Sequence, residues 1–148
     1  MKHDKRFTSG QTLLELVLAL GVIAVVLTGL VSAVTSSLRY SQSSQLRSRG
    51  VKYAQEGLEL VRKLRDSNTW STFQDYSRSG TKDWCLSESG VWTESDGTGC
   101  PIANGSPFWR TVTFTWTDPL MDITSTVSWA DRTPTSTVSF RTYFSQWK

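Results

Sequence analysis

Glu15 is the residue whose type and position point most directly to chemistry. It follows Gly10 by five places and stands immediately before an uncharged run, Leu16 to Leu38. A carboxylate at the edge of a membrane segment is unfavourable enough to require a reason. Two roles are open to it. It can pair with a cation of another chain, or it can sit in the first turn of a helix, where the dipole stabilises a negative charge by about 0.3–1 kcal/mol.

The run from Leu16 to Leu38 contains neither proline nor a charged residue, and at 1.5 Å per residue it is long enough to span a bilayer. Ahead of it, three basic residues, Lys2, Lys5 and Arg6, outnumber the single acidic Asp4. The positive-inside rule therefore places the N-terminus in the cytoplasm and the rest of the chain outside. We predict a single-pass membrane protein, N-in and C-out.

Two positions near this helix resemble processing sites. A secretory signal has a shorter apolar segment followed by a small-x-small motif, and Ser32-Ala33-Val34 partly fits that description. Cleavage near Ala33 would release a soluble domain. Gly10 lies before the apolar segment instead, so cleavage there would remove the basic leader and keep the membrane helix.

The basic leader, Gly10, the segment Gln11-Thr12-Leu13-Leu14-Glu15 and the apolar helix together resemble the leader of type IV prepilins and of type II secretion pseudopilins. The resemblance implies that a membrane prepilin peptidase cuts after Gly10 and methylates the new amine of Gln11. It also implies that Glu15, the fifth mature residue, meets the amine of a neighbouring subunit. In this reading residues 11–38, with Leu13 and Leu14 at their start, form the helix through which subunits polymerise.

The same resemblance implies a set of partners and a location. The partners are the prepilin peptidase, other pilin subunits, the inner membrane and an assembly platform, and the product is a cell-surface or periplasmic filament. The chain departs from the family at Gln11, because the first mature residue is most often Phe. An N-terminal glutamine can cyclise to a neutral lactam and lose the cation that Glu15 would meet. Since methylation opposes this loss, we expect an open, methylated amine.

A second helical pattern covers residues 39–66. Apolar residues recur there at steps of three or four and form one stripe: Val51, Ala54, Leu58, Val61 and Leu64. Gly50 and Gly57 each cost about 1 kcal/mol inside a helix, which allows a bend or break. Residues 54–66 also resemble the head-proximal helix of some minor pilins and pseudopilins. We expect one long helix with a membrane half and an amphipathic half.

Residues 67–109 form a polar, tryptophan-rich segment that we predict to be irregular. It contains both cysteines, Cys85 and Cys100, on the outer side of the membrane, where oxidation is permitted. We predict a disulfide between them, with free thiols or half of a metal site as alternatives. Zinc would lack nitrogen ligands because the sole histidine, His3, lies in the leader. The Asp96–Gly99 segment lacks the ligand spacing of an EF-hand.

Residues 110–148 change to a period of two, which predicts three antiparallel strands with one apolar face. Turns are predicted at Asp118-Pro119 and at the segment from Asp131 to Pro134. The apolar stripe of the 39–66 helix would cover the sheet, giving a two-layer α+β fold with the architecture of the pilin-like fold. Trp129 and Trp147 loosely match aromatic positions of minor-pilin-like sheets.

Composition points away from catalysis. No histidine lies outside residues 1–10, and neither a nucleophile motif nor a phosphate loop is present, so we predict a non-enzyme without a cofactor or metal. Removing residues 1–10 takes three cations and one anion away and lowers the formal charge from +3 to +1. Nucleic acid is thus a weakly supported partner. The main alternative to a filament subunit is a permanently anchored extracellular binding protein that uses residues 67–109.

Overall fold

The computed structural model describes residues 9–97, 99–130 and 135–146. They form helices and strands in an α+β arrangement, and the chain divides into two compact units, Met1–Gln42 and Ser43–Lys148. The elements in chain order are helix α1 (Ser9–Ser67), helix α2 (Trp70–Gln74), a 3₁₀ turn (Asp75–Ser77), and strands β1 (Thr81–Leu86), β2 (Trp92–Glu94), β3 (Phe108–Thr117), β4 (Leu120–Trp129) and β5 (Ser136–Ser145).

The first unit contains the apolar part of α1. Every side chain from Leu13 to Gln42 is exposed. The part of α1 from Leu13 to Ser67 contains a stretch long and apolar enough to cross a membrane, as the sequence predicts.

In the second unit, the remainder of α1 packs on the sheet through the predicted stripe. Ala54 and Val61 are fully buried, and Leu58 and Leu64 pack beside them. The helix continues through Gly50 and Gly57 without a break. Gly50 lies against the Trp129 ring, where an added Cβ would be 2.5 Å from Cζ3. Glycine here permits close approach of helix and sheet, and this tertiary contact outweighs its low helix propensity.

In the described part of the chain the sheet has five antiparallel strands in the order β2-β1-β3-β4-β5, so the prediction of three strands is wrong. The three predicted strands are β3, β4 and β5. The additional hairpin of β1 and β2 comes from residues 67–109, which we predicted to be irregular. Strand β1 was missed because a charged residue, Lys82, occupies one of its inward positions. Strand β2 was missed because it has only three residues. Strand β2 is too short to display a period of two, and Lys82 interrupts the apolar alternation of β1.

Details of the sheet follow the sequence pattern with small shifts. Strand β3 begins at Phe108 instead of residue 110, and inward residues alternate strictly with half-exposed ones along most of β3 and β4. Asp118 and Pro119 form the predicted turn between β3 and β4, and their peptide bond is cis. Trp129 is buried at the end of β4. The second predicted turn, at residues 131–134, and Trp147 lie outside the described residues.

Arg110 is a buried cation in the inward row of β3. Its side chain is fully buried and donates to three backbone oxygens, those of Tyr53 (3.0 Å), Leu86 (3.1 Å) and Ser87 (2.7 Å). Burial lowers the pKa of Arg110, while the carboxylate of Glu56, 4.0 Å from Nη1, acts in the opposite direction. Arg110 thereby ties α1, the end of β1 and β3 together within the second unit.

Candidate functional site: the apolar helix segment and an aromatic cavity

The predicted processing and assembly residues all lie in the first turns of α1. The helix begins at Ser9, so the bond between Gly10 and Gln11 is part of its first turn. The side chain of Glu15 is exposed, and no ion pair to it is found among residues 9–97, 99–130 and 135–146. Within the described part of the monomer, its carboxylate is therefore available to a partner outside the chain.

An uncovered apolar surface follows Glu15 along α1. Leu13 is 66 % and Leu14 is 67 % exposed, and the large apolar residues from there to Leu38 are all at least 52 % exposed. A continuous apolar surface of this extent marks contact with lipid or with other protein chains. The monomer itself supplies no cover for it in the described residues.

Both threonine hydroxyls between Leu16 and Leu38 form hydrogen bonds inside the helix. The hydroxyl of Thr28 donates to the Ala24 carbonyl (2.8 Å), and that of Thr35 donates to the Val31 carbonyl (2.6 Å). Such back-bonding lets a hydroxyl enter an apolar environment without an unpaired donor. Gly21 and Gly29 have no atom within 4 Å of an added Cβ. They leave gaps on the helix surface through which a second helix could approach closely.

The predicted disulfide between Cys85 and Cys100 is present, with the two Cα atoms 4.9 Å apart. It joins β1 to the segment before β3, where Arg110 N–H also donates to the Cys100 carbonyl (2.8 Å). No free cysteine remains among the described residues, so the alternative of unpaired thiols is wrong for this structure. No group of three metal-ligating side chains occurs in the parts of the chain described.

A cavity of about 620 Å³ opens beside the β1–β2 hairpin. Three aromatic residues line it, Tyr76, Trp84 and Trp92, together with the polar residues Thr72, Asp75, Arg78 and Ser79. The tryptophan content of residues 67–109 identified this segment as a candidate binding region. The sequence alone did not show which aromatic side chains meet, because that depends on the unpredicted hairpin.

The other aromatic residues of residues 67–109 have different surroundings. Phe73 is fully buried in the core, and Trp70 packs edge-on against Trp116 with the rings 5.9 Å apart. Trp109, the second residue of β3, lies near Gly99. Only part of the tryptophan-rich segment therefore contributes to the cavity.

Charges around the cavity form a compact network. The carboxylate of Glu94 in β2 pairs with Lys82 of β1 and with Arg78 (3.3 Å). The hydrogen bond from Lys82 is the main cause that lowers the pKa of Glu94, with the charges of Lys82 and Arg78 acting in the same direction. Both basic side chains are thus engaged by the same carboxylate.

No protein-family model, no curated protein and no solved structure matches this chain. Two features of the described residues bear on function: the apolar helix segment that follows Glu15 and the aromatic cavity of the second unit.

Proposed function

We propose that this chain is a structural subunit of a type IV pilus or a related filament, of the minor-pilin or pseudopilin kind. A prepilin peptidase cleaves after Gly10, and the new N-terminal residue, Gln11, is N-methylated. The subunit resides in the inner membrane as a single-pass protein and then leaves it through the assembly platform. It polymerises through residues 11–38 into a surface or periplasmic filament.

The observation that carries this proposal is the segment from Gly10 to Glu15, which leads directly into the apolar part of the helix. Gly10 and Glu15 are separated by the interval typical of prepilin leaders, and Glu15 directly precedes the run Leu16 to Leu38, whose large apolar side chains are all exposed. Lipid can cover these side chains before assembly, and the same surface of other subunits can cover them in a filament. An anchor alone accounts for the apolar surface but gives no role to Gly10.

Glu15 sets the register of neighbouring subunits in this proposal. A charge buried among packed apolar helices is costly unless it is paired, because the interior cannot replace its hydration. The N-terminal amine of the adjacent subunit supplies the opposite charge at one axial position only. Pairing therefore favours a single stagger between subunits.

The second unit supports the proposal through its architecture and chemistry. An amphipathic helical segment packed on an antiparallel sheet is the general architecture that pilin-like folds share. The Cys85–Cys100 disulfide fits a domain that functions outside the cytoplasm. A permanently anchored binding protein is the second candidate, favoured by the aromatic cavity beside the β1–β2 hairpin.

Substitution at Gly10 tests the processing step. Gly10→Val should leave the protein at precursor size on a gel when it is expressed with its peptidase, because a branched side chain blocks the cleavage position. Gly21→Val is the matched control, since it places the same side chain on a glycine of the same helix. If Gly10→Val and the unsubstituted chain have the same size on a gel and the same place in membrane fractions, the permanently anchored binding protein is favoured.

Substitution at Glu15 tests the assembly step separately. Glu15→Leu should be cleaved normally but fail to enter filaments, because it removes the carboxylate and leaves the incoming amine unpaired. Thr28→Val is the control, since it also replaces a polar group of the apolar segment by an apolar one. Filament incorporation of Glu15→Leu equal to that of Thr28→Val would refute the role of Glu15 in register.

A further inference from the structure

The cavity beside the β1–β2 hairpin has the size of a small-molecule site. Its volume of about 620 Å³ lies within the range of ligand cavities, which is about 300–1,000 Å³. The ring of Tyr76 lies 5.1 Å from that of Trp84 and 6.1 Å from that of Trp92. All three side chains are only partly buried, so each retains surface that a ligand can cover.

The three rings are held in place by the core beneath them. Trp84 donates its indole N–H to the Tyr76 carbonyl (2.8 Å), and Tyr76 and Trp92 both pack on Phe114, at 5.5 and 5.8 Å. Aromatic side chains fixed in this way lose little conformational freedom when a ligand binds. The cavity is therefore formed before any ligand arrives.

The rim next to these rings has an unusual backbone. Arg78 and Ser79 are consecutive non-glycine residues in the left-handed region, with φ of 52° and 63°. Hydrogen bonds hold the turn on both sides, from Arg78 N–H to the Asp75 carbonyl (3.1 Å) and from Gly80 N–H to the Ser77 carbonyl (3.0 Å). Non-glycine residues in this region of backbone conformation cluster at active sites and ligand clamps.

The charges of the cavity wall and its immediate neighbours cancel. Asp75 and Arg78 line the cavity, one of each sign, and the Lys82–Glu94 pair adds one more of each. Neither an anionic nor a cationic ligand gains from these charges, because each attractive charge is matched by a repulsive one. This balance favours a neutral ligand over a nucleic-acid phosphate or a quaternary ammonium group.

We propose that this cavity binds a neutral carbohydrate. The C–H groups of one pyranose face carry partial positive charge and pack on the negative face of an aromatic ring, which Tyr76, Trp84 and Trp92 supply. Sugar hydroxyls both donate and accept, so they pair with the carboxylate of Asp75 and the hydroxyl of Thr72 at the rim. The site uses residues of the second unit alone and functions equally in a filament subunit and in an anchored monomer.

Calorimetric titration of the full chain tests this proposal. The protein is placed in nanodiscs of phosphatidylethanolamine and phosphatidylglycerol, without glycoside detergents, which would compete as sugars, and without choline lipids. The probes are cellotetraose, maltotetraose and N-acetylchitotetraose. We expect saturable binding of at least one probe, with about one site per chain and a Kd of about 1 mM or tighter.

Matched variants locate the site. Trp92→Leu and Asp75→Ala should each weaken binding of that probe by about ten-fold, whereas Trp109→Leu, a tryptophan outside the cavity, should leave the Kd within about two-fold. Asp75 is exposed and its substitution leaves the aromatic packing intact, so it reports on binding even where Trp92→Leu weakens the fold.

Three results would overturn the proposal. The first is a lack of saturable binding of all three probes up to about 10 mM. The second is a Kd that is unchanged in each of the two single variants, Asp75→Ala and Trp92→Leu. The third is binding of tetramethylammonium or of a thymidine tetranucleotide by a chain that ignores every sugar. Failure of Gly10 cleavage would affect none of these measurements, so the two proposals are tested separately.

Discussion

Gly57 of α1 lies directly against Ser125 of β4: a Cβ atom added to Gly57 would be 2.4 Å from Ser125 Oγ. Ser125 is fully buried, and its hydroxyl has no hydrogen-bond partner in the described residues. Because Ser125 has a small side chain and Gly57 has none, α1 can approach the sheet closely here. This contact explains a glycine that helix propensity alone disfavours by about 1 kcal/mol.

A double-mutant cycle measures this contact. Gly57→Ala should lower the free energy of unfolding by about 1–3 kcal/mol despite the better helix propensity of alanine, because the added methyl group overpacks the interface. Ser125→Ala alone should be nearly neutral, since it removes a buried hydroxyl without a partner. In the double variant the nearest remaining contacts are at 3.3 Å, so most of the loss should be recovered.

Denaturant unfolding in nanodiscs, followed by tryptophan fluorescence, provides the measurement. Gly29→Ala serves as the control, because no atom lies within 4 Å of an added Cβ there, and it should leave the transition unchanged. Strictly additive effects of Gly57→Ala and Ser125→Ala would show that the two residues do not restrain each other.

Arg110→Met should destabilise the second unit strongly. The substitution roughly keeps the side-chain length but leaves the carbonyls of Tyr53, Leu86 and Ser87 without their donor inside the protein. We expect a loss of about 3–5 kcal/mol in the free energy of unfolding. Glu56→Gln is the control, with an expected loss below about 1 kcal/mol, because this side chain is 37 % exposed and 4.0 Å from the guanidinium. Equal effects of the two variants would contradict the account of Arg110.

Reduction of the disulfide should weaken the fold without changing its architecture. The bond closes a loop with a sequence separation of 15, and its loss should lower the free energy of unfolding by about 3 kcal/mol. A thiol assay should find no free thiol before reduction of the denatured chain. Cys85→Ser/Cys100→Ser is the control, since added reductant should not destabilise it further. A native protein that already carries titratable thiols would contradict the observed pairing.

The lowered pKa of Glu94 gives a pH-dependent contact at the β1–β2 hairpin. Because the folded-state pKa lies below its ordinary value of 4.5, the contribution to stability is complete above that pH. It is lost as the pH falls through the folded-state pKa. Carboxyl NMR should detect this titration, and Lys82→Met should return the pKa towards 4.5.

Arg78→Met is the control for this titration, because the charge of Arg78 is the smallest of the causes that lower the pKa. It should raise the pKa of Glu94 less than Lys82→Met does. A larger pKa shift in Arg78→Met would show that Arg78, and not Lys82, is the main partner of Glu94.

Elements whose hydrophobic pattern repeats several times along the chain could be predicted from the sequence. Strands β3 and β4 alternate over ten residues each, and α1 shows both its apolar segment and the stripe through Ala54 and Val61. Strand β2 has three residues and cannot show a period. The hairpin it forms with β1, and the cavity beside that hairpin, were therefore not foreseen. The buried position of Arg110 was also missed. Its guanidinium is buried because three backbone carbonyls accept from it, and the sequence pattern does not show which carbonyls lie nearby.

Gly50 and Gly57 illustrate a second limit. Read locally, they indicate a bend or break in the helix, and this expectation does not hold for α1. Their role depends on Trp129 and Ser125, which follow them by more than sixty residues in the chain. A penalty in local propensity can thus mark a close tertiary contact, which a single sequence does not reveal.

The mass of the N-terminal peptide tests the central claim most directly. The protein is isolated from membranes or filaments of cells that contain the peptidase, digested, and analysed by tandem mass spectrometry. We predict a peptide that begins at Gln11 with a methylated, uncyclised amine, which preserves the cation required by Glu15. A chain that retains residues 1–10, that begins after Ala33, or that carries a lactam at Gln11 as its dominant form would contradict the account.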